Sequence, residues 1–315
     1  MKSKLEPLSV LVSRVLVPLV WELDDGSNEA SLAVWADLLR VVPDEGALQQ
    51  DLLALAHVSP RSMNVLVSAA VKLGLVTIVK VPKGPLTPTK KGHAARRAWD
   101  AHLAAVEKRW RREHKTAPLI AALARLMEGI EVELPWLLLP YGPADNSASI
   151  GPPVPRQPLH DGLPLLALLS QLLAALALSY ESKHGWMLSM MSTTFDGFPD
   201  EGLPMEDVPA FAGVKGNGKT LHERHGILTV EPMAGQPRRK IVKLTEKGVR
   251  FRDLHLPTIE SVEREWAAQD GLEALAHVRR ELSRVAAGLP TRHVRHLCMQ
   301  YRGGEAAFTE VSPRS

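Results

Sequence analysis

Apolar residues recur at the three- and four-residue spacing of helices along most of the chain, which predicts a mostly helical protein. Two long apolar runs, residues 8–21 and 163–178, predict helices that are buried on most sides. β-Branched runs are confined to residues 76–81 and 241–244, which predict two small hairpins. We therefore expect a mostly α fold of the α+β class.

The segment 129–162 interrupts this helical pattern. It is rich in Pro, Gly, Asn and Ser and includes the stretch YGPADNSASIGPPVPRQP, a composition typical of connectors. We therefore predict three parts: a first domain at residues 1–128, the connector at 129–162, and a second domain at 163–315.

The two predicted domains are related by an internal repeat. The sequence PDEG at residues 43–46 recurs at 199–202, an offset of 199 − 43 = 156 residues. Three further segments keep this offset, so chance is a poor explanation. Their matched pairs are Ala54 and Ala210, Ala56 and Ala212, Val58 and Val214, Thr89 and Thr245, Lys91 and Lys247, Gly92 and Gly248, Val106 and Val262, Glu107 and Glu263, and Trp110 and Trp266.

Each domain presents the same order of predicted elements: an apolar helix, a second helix, the PDEG turn, a short helix, a further helix, a hairpin and a long helix. This is the order of a winged helix-turn-helix. The second hairpin closes on LTEKG at 244–248, and the first closes on a weaker copy, PTKKG, at 88–92. A wing that closes on L-T-x-K-G before a long helix resembles the MarR family of winged-helix regulators.

The resemblance to the MarR family covers most of each domain and implies tandem winged helix-turn-helix domains with long dimerisation-type helices. MarR-type proteins are homodimers, so two copies in one chain imply a covalent pseudo-dimer, a monomeric chain with an internal pseudo-two-fold axis. The implied function is transcription regulation in the cytoplasm, with duplex DNA as the partner. Because the two-fold would be only approximate, the DNA site should have unlike half-sites.

The two copies differ in length at two points. Positions 58 and 74 are 16 residues apart, whereas their counterparts 214 and 226 are 12 apart. Positions 74 and 92 are 18 residues apart, whereas 226 and 248 are 22 apart. We therefore expect the second copy to have the shorter recognition helix and the first copy to have the shorter hairpin.

Polar and basic side chains on the predicted recognition helices and on the second hairpin are the candidate DNA contacts. In the first copy, Ser59 and Pro60 predict the start of a helix over residues 61–72. The basic hairpin residues would hold phosphates. The candidates are Arg61, Ser62 and Asn64 in the first copy, and Lys215, Asn217, Lys219, Thr220, Arg238, Arg239 and Lys240 in the second.

The rest of the first recognition helix supports a second hypothesis. It is unusually apolar for a face that reads DNA, with Val65, Leu66, Val67, Ala69 and Ala70 in sequence order. Helix packing accounts for most of these side chains, and a protein interface would account for the others. The alternative is therefore a winged-helix pseudo-dimer that has lost DNA binding and serves as a protein-interaction or ligand-binding module.

Two motifs point to other chemistry, and neither has the structural context it needs. Residues 213–220 satisfy G-x-x-x-x-G-K-T, but a phosphate loop follows a buried strand, and Pro209 lies where that strand should be. Two His-x-x-His pairs have a spacing that permits zinc, although such pairs are more often solvated. They are His222 with His225, and His293 with His296, the latter close to Cys298. No catalytic grouping is legible, so we expect no enzyme activity, no cofactor and no metal.

A ligand pocket is a further expectation from the resemblance. MarR-like dimers often bind small aromatic effectors between the dimerising helices and the DNA-reading domain, so a small-molecule effector is an implied partner. The other interpretation of the aromatic, Met and His side chains that could line such a pocket is that they belong to the core. The candidates are Trp21, Trp35, His184, Trp186 and Met190.

Charge and cysteine content add little to this picture. A net charge of +3 permits a polyanionic partner without requiring one. The single cysteine, Cys298, excludes an internal disulfide, which fits the cytoplasm. The apolar run at 163–178 is 16 residues long and contains Ser170 and Gln171. A membrane-spanning helix needs about 18–20 apolar residues, so we expect no membrane association.

Overall fold

A computed structural model gives the architecture of most of the chain. It describes residues 6–24, 27–56, 58, 60–78, 84–128, 130, 134, 136–137, 162–185, 188, 191, 198–208, 226–269, 272–289, 301–302 and 305–306. These residues form a mostly helical fold with small antiparallel sheets, which confirms the predicted α+β class.

The first half of the chain contains six helices and two short strands within its described residues. They are α1 (Leu8–Leu23), α2 (Leu32–Val34), which continues into a π-helical turn (Trp35–Leu39), α3 (Gln49–Ala56), α4 (Pro60–Lys72), β1 (Val76–Ile78), β2 (Leu86–Pro88), α5 (Lys90–Glu113) and α6 (Ala117–Glu128).

The second half contains three helices and five strands within its described residues. They are α7 (Leu165–His184), β3 (Leu203–Pro204), β4 (Leu228–Met233), β5 (Gln236–Leu244), α8 (Glu246–Gln269), α9 (Leu272–Ala287), β6 (Tyr301–Arg302) and β7 (Glu305–Ala306).

The single long helix predicted at the end of each domain is instead two helices. In the first half, α5 ends before Lys115, whose φ of 50° is the one positive value of a non-glycine residue in the described part of the chain. Pro118 then lies in the first turn of α6, where its missing N–H is tolerated. In the second half, α8 and α9 meet between Gln269 and Leu272.

Four of these helices form a central bundle that joins the two halves. Helix α1 packs against α7 and α9, and α6 packs against the same two helices. Every residue of α7 from 165 to 177 is buried, as the apolar pattern predicts. By length and composition α7 could also cross a membrane, but 78% of its most apolar window is buried inside the fold, and core helices pass the same test.

Each half forms its own small antiparallel sheet, and the two sheets are arranged in the same way. Strand β5 pairs with both β4 and β3, with Leu203 opposite Val242. In the first half β1 pairs with β2, and Ala47 bridges Leu86. Adding the offset of 156 to positions 47 and 86 gives 203 and 242. The residue that follows each PDEG turn therefore pairs with the second strand of its hairpin at the same place.

The hydrogen bonds around each hairpin also repeat, with the threonine and the helix glycine at the offset of 156 and the glycine before the hairpin at 226 − 74 = 152. The hydroxyl of Thr89 donates to the carbonyl of Gly74 at 2.8 Å and accepts from the N–H of Gly92 at 3.0 Å. The hydroxyl of Thr245 donates to the carbonyl of Gly226 at 2.8 Å and accepts from the N–H of Gly248 at 3.1 Å. Each threonine therefore caps a 24-residue helix and ties it to the preceding strand.

An arginine on each of these helices holds the PDEG turn. Arg96 donates to the carboxylate of Asp44 at 2.9 Å and to the carbonyl of Val42 at 2.6 Å. Arg252 donates to the carboxylate of Asp200 at 2.5 Å and to the carbonyl of Phe198 at 3.0 Å. Each arginine and each of its partners in the first half has a counterpart 156 residues later. These contacts give a structural reason for the repeated aspartate of the PDEG sequence.

One pair of contacts crosses between the halves and is reciprocal. Glu263 in the second half accepts a hydrogen bond of 2.5 Å from the N–H of Leu8, at the start of α1. Glu107 in the first half accepts one from the N–H of Leu165, at the start of α7. Burial raises the pKa of Glu107, and the hydrogen bond from Leu165 opposes that shift. Each half therefore caps the first bundle helix of the other half.

The predicted connector begins with residues that pack on the first half. Leu134 and Leu137 are buried, and the Trp136 ring meets Trp35 edge to face at a centroid distance of 5.2 Å. The guanidinium of Arg40 lies 4.8 Å from the centre of the Trp136 ring. These apolar side chains bury surface that the Pro- and Gly-rich composition of the segment does not reveal.

Candidate nucleic-acid interface

The hairpin of β4 and β5 carries three basic side chains that the sequence predicts to contact DNA and that lie among the described residues. The strands pair with Lys240 opposite Pro232 and Gln236 opposite Met233, with a bulge between Pro232 and Met233. The turn of the hairpin lies at residues 234–235. Arg238, Arg239 and Lys240 are all exposed on β5, as predicted.

The three basic side chains of β5 are not equivalent. Arg239 pairs with the carboxylate of Glu206, with its Nε at 3.0 Å, and also contacts Gln236 Oε1 at 3.3 Å. The backbone N–H of Glu206 and the Arg239 guanidinium lower the pKa of that carboxyl. The charge of Arg239 is therefore compensated, which the sequence does not reveal because its partner lies 33 residues away.

Arg238 and Lys240 have no carboxylate partner in the part of the chain that the structure describes. Lys240 pairs with Pro232, and Arg238 lies in the irregular part of β5 between Gln236 and Lys240, so both side chains lie near the tip of the hairpin. Within the described ranges, no carboxylate lies within hydrogen-bonding distance of either side chain. Their ammonium and guanidinium groups are therefore available to an external anion such as a phosphate.

Helix α4 presents a mixed surface rather than a basic one. It begins at Pro60 as predicted, and Arg61 lies in its first turn. Ser62 is half-buried and has an interaction partner within the protein. Asn64 is exposed, and its Oδ1 accepts a hydrogen bond of 2.5 Å from the side-chain amide of Gln49. The side chain of Arg61 lies outside the described ones, and the exposed side chain of Asn64 could reach a base edge.

Helices α3 and α4 and strand β1 also expose several large apolar side chains. Leu55 is 55% exposed and Val65 is 46% exposed. Of the seven large hydrophobic side chains exposed in the described part of the chain, five lie on α3, α4, β1 or the residue before α3. They are Leu48, Leu55, Val65, Val71 and Ile78. Phosphate groups gain nothing from such a surface, so the first half is poorly suited to grip DNA alone.

Several predicted sites lie outside the described residues. They include the whole predicted recognition helix of the second copy and both His-x-x-His pairs. Among the residues that are described, no group of three or more His, Cys, Asp and Glu side chains could hold a metal ion. The predicted sites that lie outside are Ser59, Lys215, Asn217, Lys219, Thr220, the segment 213–220, His222, His225, His293, His296 and Cys298.

Of the predicted pocket residues, those that the structure describes have separate neighbours. Trp35 is buried in the first half, where it stacks on Trp99 at a centroid distance of 5.3 Å and donates to Asp100 at 3.2 Å. His184 is buried in the second half, where it stacks on Tyr180 at 4.8 Å. Trp21 is half-buried against the core, and Trp186 and Met190 lie outside the described residues. Trp35 and His184 thus have the contacts of core residues.

A small pocket lies elsewhere, where α1, α7 and α8 meet. Its lining includes Ser9, Tyr180 and Glu263 and none of the predicted pocket residues. The hydroxyl of Ser9 is buried and has no hydrogen-bond partner among the described residues. The remainder of the lining is mainly apolar.

Sequence reasoning missed a basic segment at the end of α5. Residues 108–115 include Lys108, Arg109, Arg111, Arg112 and Lys115, and all five side chains are exposed. The signal that could have revealed them is the repeat itself, because the second copy lacks most of these charges at the offset of 156.

Comparison of the chain with protein-family models, with curated proteins and with solved structures gave no match. The resemblance to the MarR family stays a prediction based on the wing motif, the order of elements and the repeat. The proposals below therefore rest on the geometry of the described residues.

Proposed function

We propose that the chain is a DNA-binding transcriptional regulator in which two MarR-like winged-helix units are fused into one pseudo-dimer. The observation that carries this proposal is the exposed hairpin of β4 and β5, on which Arg238 and Lys240 are exposed with no carboxylate partner among the described residues. A two-stranded hairpin with such cations fits the backbone of a duplex, where each cation neutralises one phosphate.

The pseudo-dimer is supported by contacts that repeat and by contacts that are exchanged. Thr89 and Thr245 cap helices of equal length in the same manner. Glu107 and Glu263 each cap a helix of the opposite half, as residues do across a two-fold interface. Two units related in this way would place their hairpins as a pair.

The two units would contribute unequally to DNA binding. Arg238 and Lys240 of the second hairpin have no carboxylate partner among the described residues, whereas the described part of the first hairpin, with β1 and β2 of three residues each, exposes the apolar side chain of Ile78. Helix α4 offers Asn64 to a base edge and Lys72, in its last turn, to a phosphate. Binding should therefore depend most on the second hairpin.

The test is binding to a mixed pool of duplexes, measured against salt concentration. The double variant Arg238→Ala/Lys240→Ala should bind at least tenfold more weakly in about 0.1 M salt. The slope of log K against log salt should fall by about 2, because two phosphate contacts are lost.

A matched control removes one charge of each sign from the same hairpin region. The double variant Glu206→Ala/Arg239→Ala deletes the compensated pair and should bind duplexes as the wild type does. If the wild type retards no duplex even at low salt, or if both double variants behave alike, the proposal is wrong.

The exposed apolar side chains of the first half favour a second candidate function, a protein-interaction module that no longer binds DNA. Leu55, Val65 and Ile78 would be buried by an apolar partner surface and gain nothing from water. This candidate predicts no duplex retardation. It also predicts an association, seen by sedimentation, that Leu55→Asp abolishes.

A further inference from the structure

The carboxyl-terminal end of α5 and the turn that follows it form a concentrated cationic surface. Residues 108–115 carry five lysine and arginine side chains and one acidic side chain, Glu113. We call this set, with Arg284 of α9, the α5 basic end. Its basic side chains are exposed at the end of a helix. Such a surface suits an extended polyanion better than a small anion, which needs ligands that enclose it.

Some charges of the α5 basic end are already paired. Arg109 pairs with Glu22. Arg112 lies 2.7 Å from the carboxylate of Glu113.

The other three cations are available. Within the described part of the chain, no carboxylate lies within hydrogen-bonding distance of Lys108, Arg111 or Lys115. Arg111 acts on the half-buried carboxyl of Glu107 only through space, lowering its pKa against the effect of burial. Lys108 and Arg111 are three residues apart, so they share one face of α5.

The turn that carries Lys115 is held in place by the second half of the chain. Arg284 donates to the carbonyl of His114 at 3.2 Å and to the carbonyl of Lys115 at 2.8 Å. These bonds satisfy carbonyls that the helix end leaves without an internal partner. Arg284 also pairs with Glu281 at 2.9 Å, so it holds the turn in place while its own charge is compensated.

The second copy shows that the fold does not need these cations. Helix α8 has the same length as α5 and buries Val262 and Trp266 where α5 buries Val106 and Trp110. The last turn of α8 contains no basic residue. Compensation of the helix dipole is therefore not a sufficient explanation. The counterparts of Lys108, Arg109, Arg111, Arg112 and Lys115 are Arg264, Glu265, Ala267, Ala268 and Gly271.

We propose that the α5 basic end binds the phosphate backbone of a second nucleic-acid segment, so that the protein bridges two duplexes. The inference rests on the proposed function, because it assumes that the hairpins hold a first duplex. The two ends of the 24-residue α5 are about 36 Å apart at 1.5 Å per residue, so the duplex held at the wing end does not cover this surface. Arg111 can bind a phosphate through paired N–H donors, and Lys108 and Lys115 can add point charges, which together favour a phosphate polymer.

The experiment is a capture assay with two duplexes. The full-length protein is bound to an immobilised duplex, and retention of a second, labelled duplex is measured. The wild type should retain the labelled duplex. The triple variant Lys108→Ala/Arg111→Ala/Lys115→Ala should bind the immobilised duplex normally but capture at least tenfold less of the labelled one. Its salt slope for the second duplex should fall by about 3.

The repeat offers a matched control. Arg264→Ala removes the counterpart of Lys108 from α8 and should leave capture unchanged, whereas Lys108→Ala alone should reduce it. Equal thermal unfolding midpoints would show that all the variants fold.

Each other outcome decides against one of the two proposals. The inference is overturned if the triple variant captures the labelled duplex as well as the wild type does. The proposed function still stands in that case if Arg238→Ala/Lys240→Ala loses the immobilised duplex. A triple variant that loses binding only to vesicles containing phosphatidylserine also overturns it, because the surface then serves a membrane. A wild type that binds no duplex at all overturns both proposals.

Discussion

The two halves of the chain share the hydrogen bonds and ion pairs that join their helices and strands. They differ in which charged and apolar side chains are exposed and in which titratable side chains are buried. The shared contacts are the threonine caps, the arginines that hold the PDEG turns and the exchanged glutamate caps. Each copy keeps them, so they belong to the fold. Charges and apolar patches found in one copy only are not needed for folding, and function should be sought there.

The buried polar groups of the two halves differ in kind. The first half buries Asp37 in the π-helical turn, where burial raises the pKa of its carboxyl against the opposing charge of Arg40. The second half buries His255, whose imidazole shares a hydrogen bond of 2.8 Å with the hydroxyl of Tyr180. Burial, followed by the charge of His184, lowers the pKa of His255 to about 4. The halves should therefore respond to pH in opposite directions.

The largest expected effect concerns a shared contact. A Cβ at Gly92 would lie 2.0 Å from the carbonyl oxygen of Leu75, and one at Gly248 would lie 2.2 Å from that of Ile227. Either alanine must push its helix away from the preceding strand and break the threonine cap. We expect Gly92→Ala and Gly248→Ala each to lower the free energy of unfolding by about 4 kcal/mol, measured by denaturant titration.

Gly288, which follows α9, provides the control for this pair. A Cβ there would lie 3.5 Å from its nearest neighbour, which is ordinary contact, so Gly288→Ala should change stability by less than about 0.5 kcal/mol. A large loss at only one of the two positions 92 and 248 would show that the halves do not depend equally on the shared contact.

The next effect is acid loss of stability in the second half. The pKa of His255 is about 4 when folded and 6.5 ordinarily, so the unfolded chain holds the proton more tightly. The stabilisation is complete above pH 6.5 and falls as the pH drops towards 4, by roughly 3 kcal/mol in total. Unfolding of His255→Gln across pH 4 to 7 should show a smaller acid loss than the wild type.

His277, which is partly exposed on α9, is the matched control. His277→Gln should keep the acid loss of the wild type. If His255→Gln loses as much stability in acid as the wild type does, the acid response lies elsewhere, for example at the neighbouring His184.

Local signals explain what could be predicted of the fold. The apolar run at 163–178 gave the position of the buried helix α7, and β-branched runs beside turn residues gave the hairpins. The offset of 156 connected positions that prove to make the same hydrogen bonds, such as Gly92 and Gly248. These features depend on residues close in sequence or on comparison of the two copies.

Long-range contacts explain what could not be predicted. The pairing of Arg239 with Glu206 and the caps that Glu107 and Glu263 supply to the opposite half join residues far apart in sequence. Single-sequence periodicity also cannot decide which apolar residues of α4 face water: Leu66 and Val67 are buried, whereas Val65 is exposed. The shortened recognition helix of the second copy lies outside the described residues, so its length stays a prediction.

The smallest expected effect is an alkaline loss of stability in the first half, which arises at Asp37. Both carboxylate oxygens are buried without a hydrogen-bond partner among the described residues, and the raised pKa means that the folded chain holds the proton more tightly than the unfolded one. Stability therefore falls as the pH rises above the ordinary value of 3.8 towards the folded value. At pH 8, Asp37→Asn should be more stable than the wild type by about 1–2 kcal/mol, and the difference should shrink towards pH 4. Asp51→Asn, on the exposed side of α3, should show no such trend in the same denaturant titrations. A constant difference at every pH would mean that Asp37 is not the group that titrates, and the contrast between the halves would then rest on His255 alone.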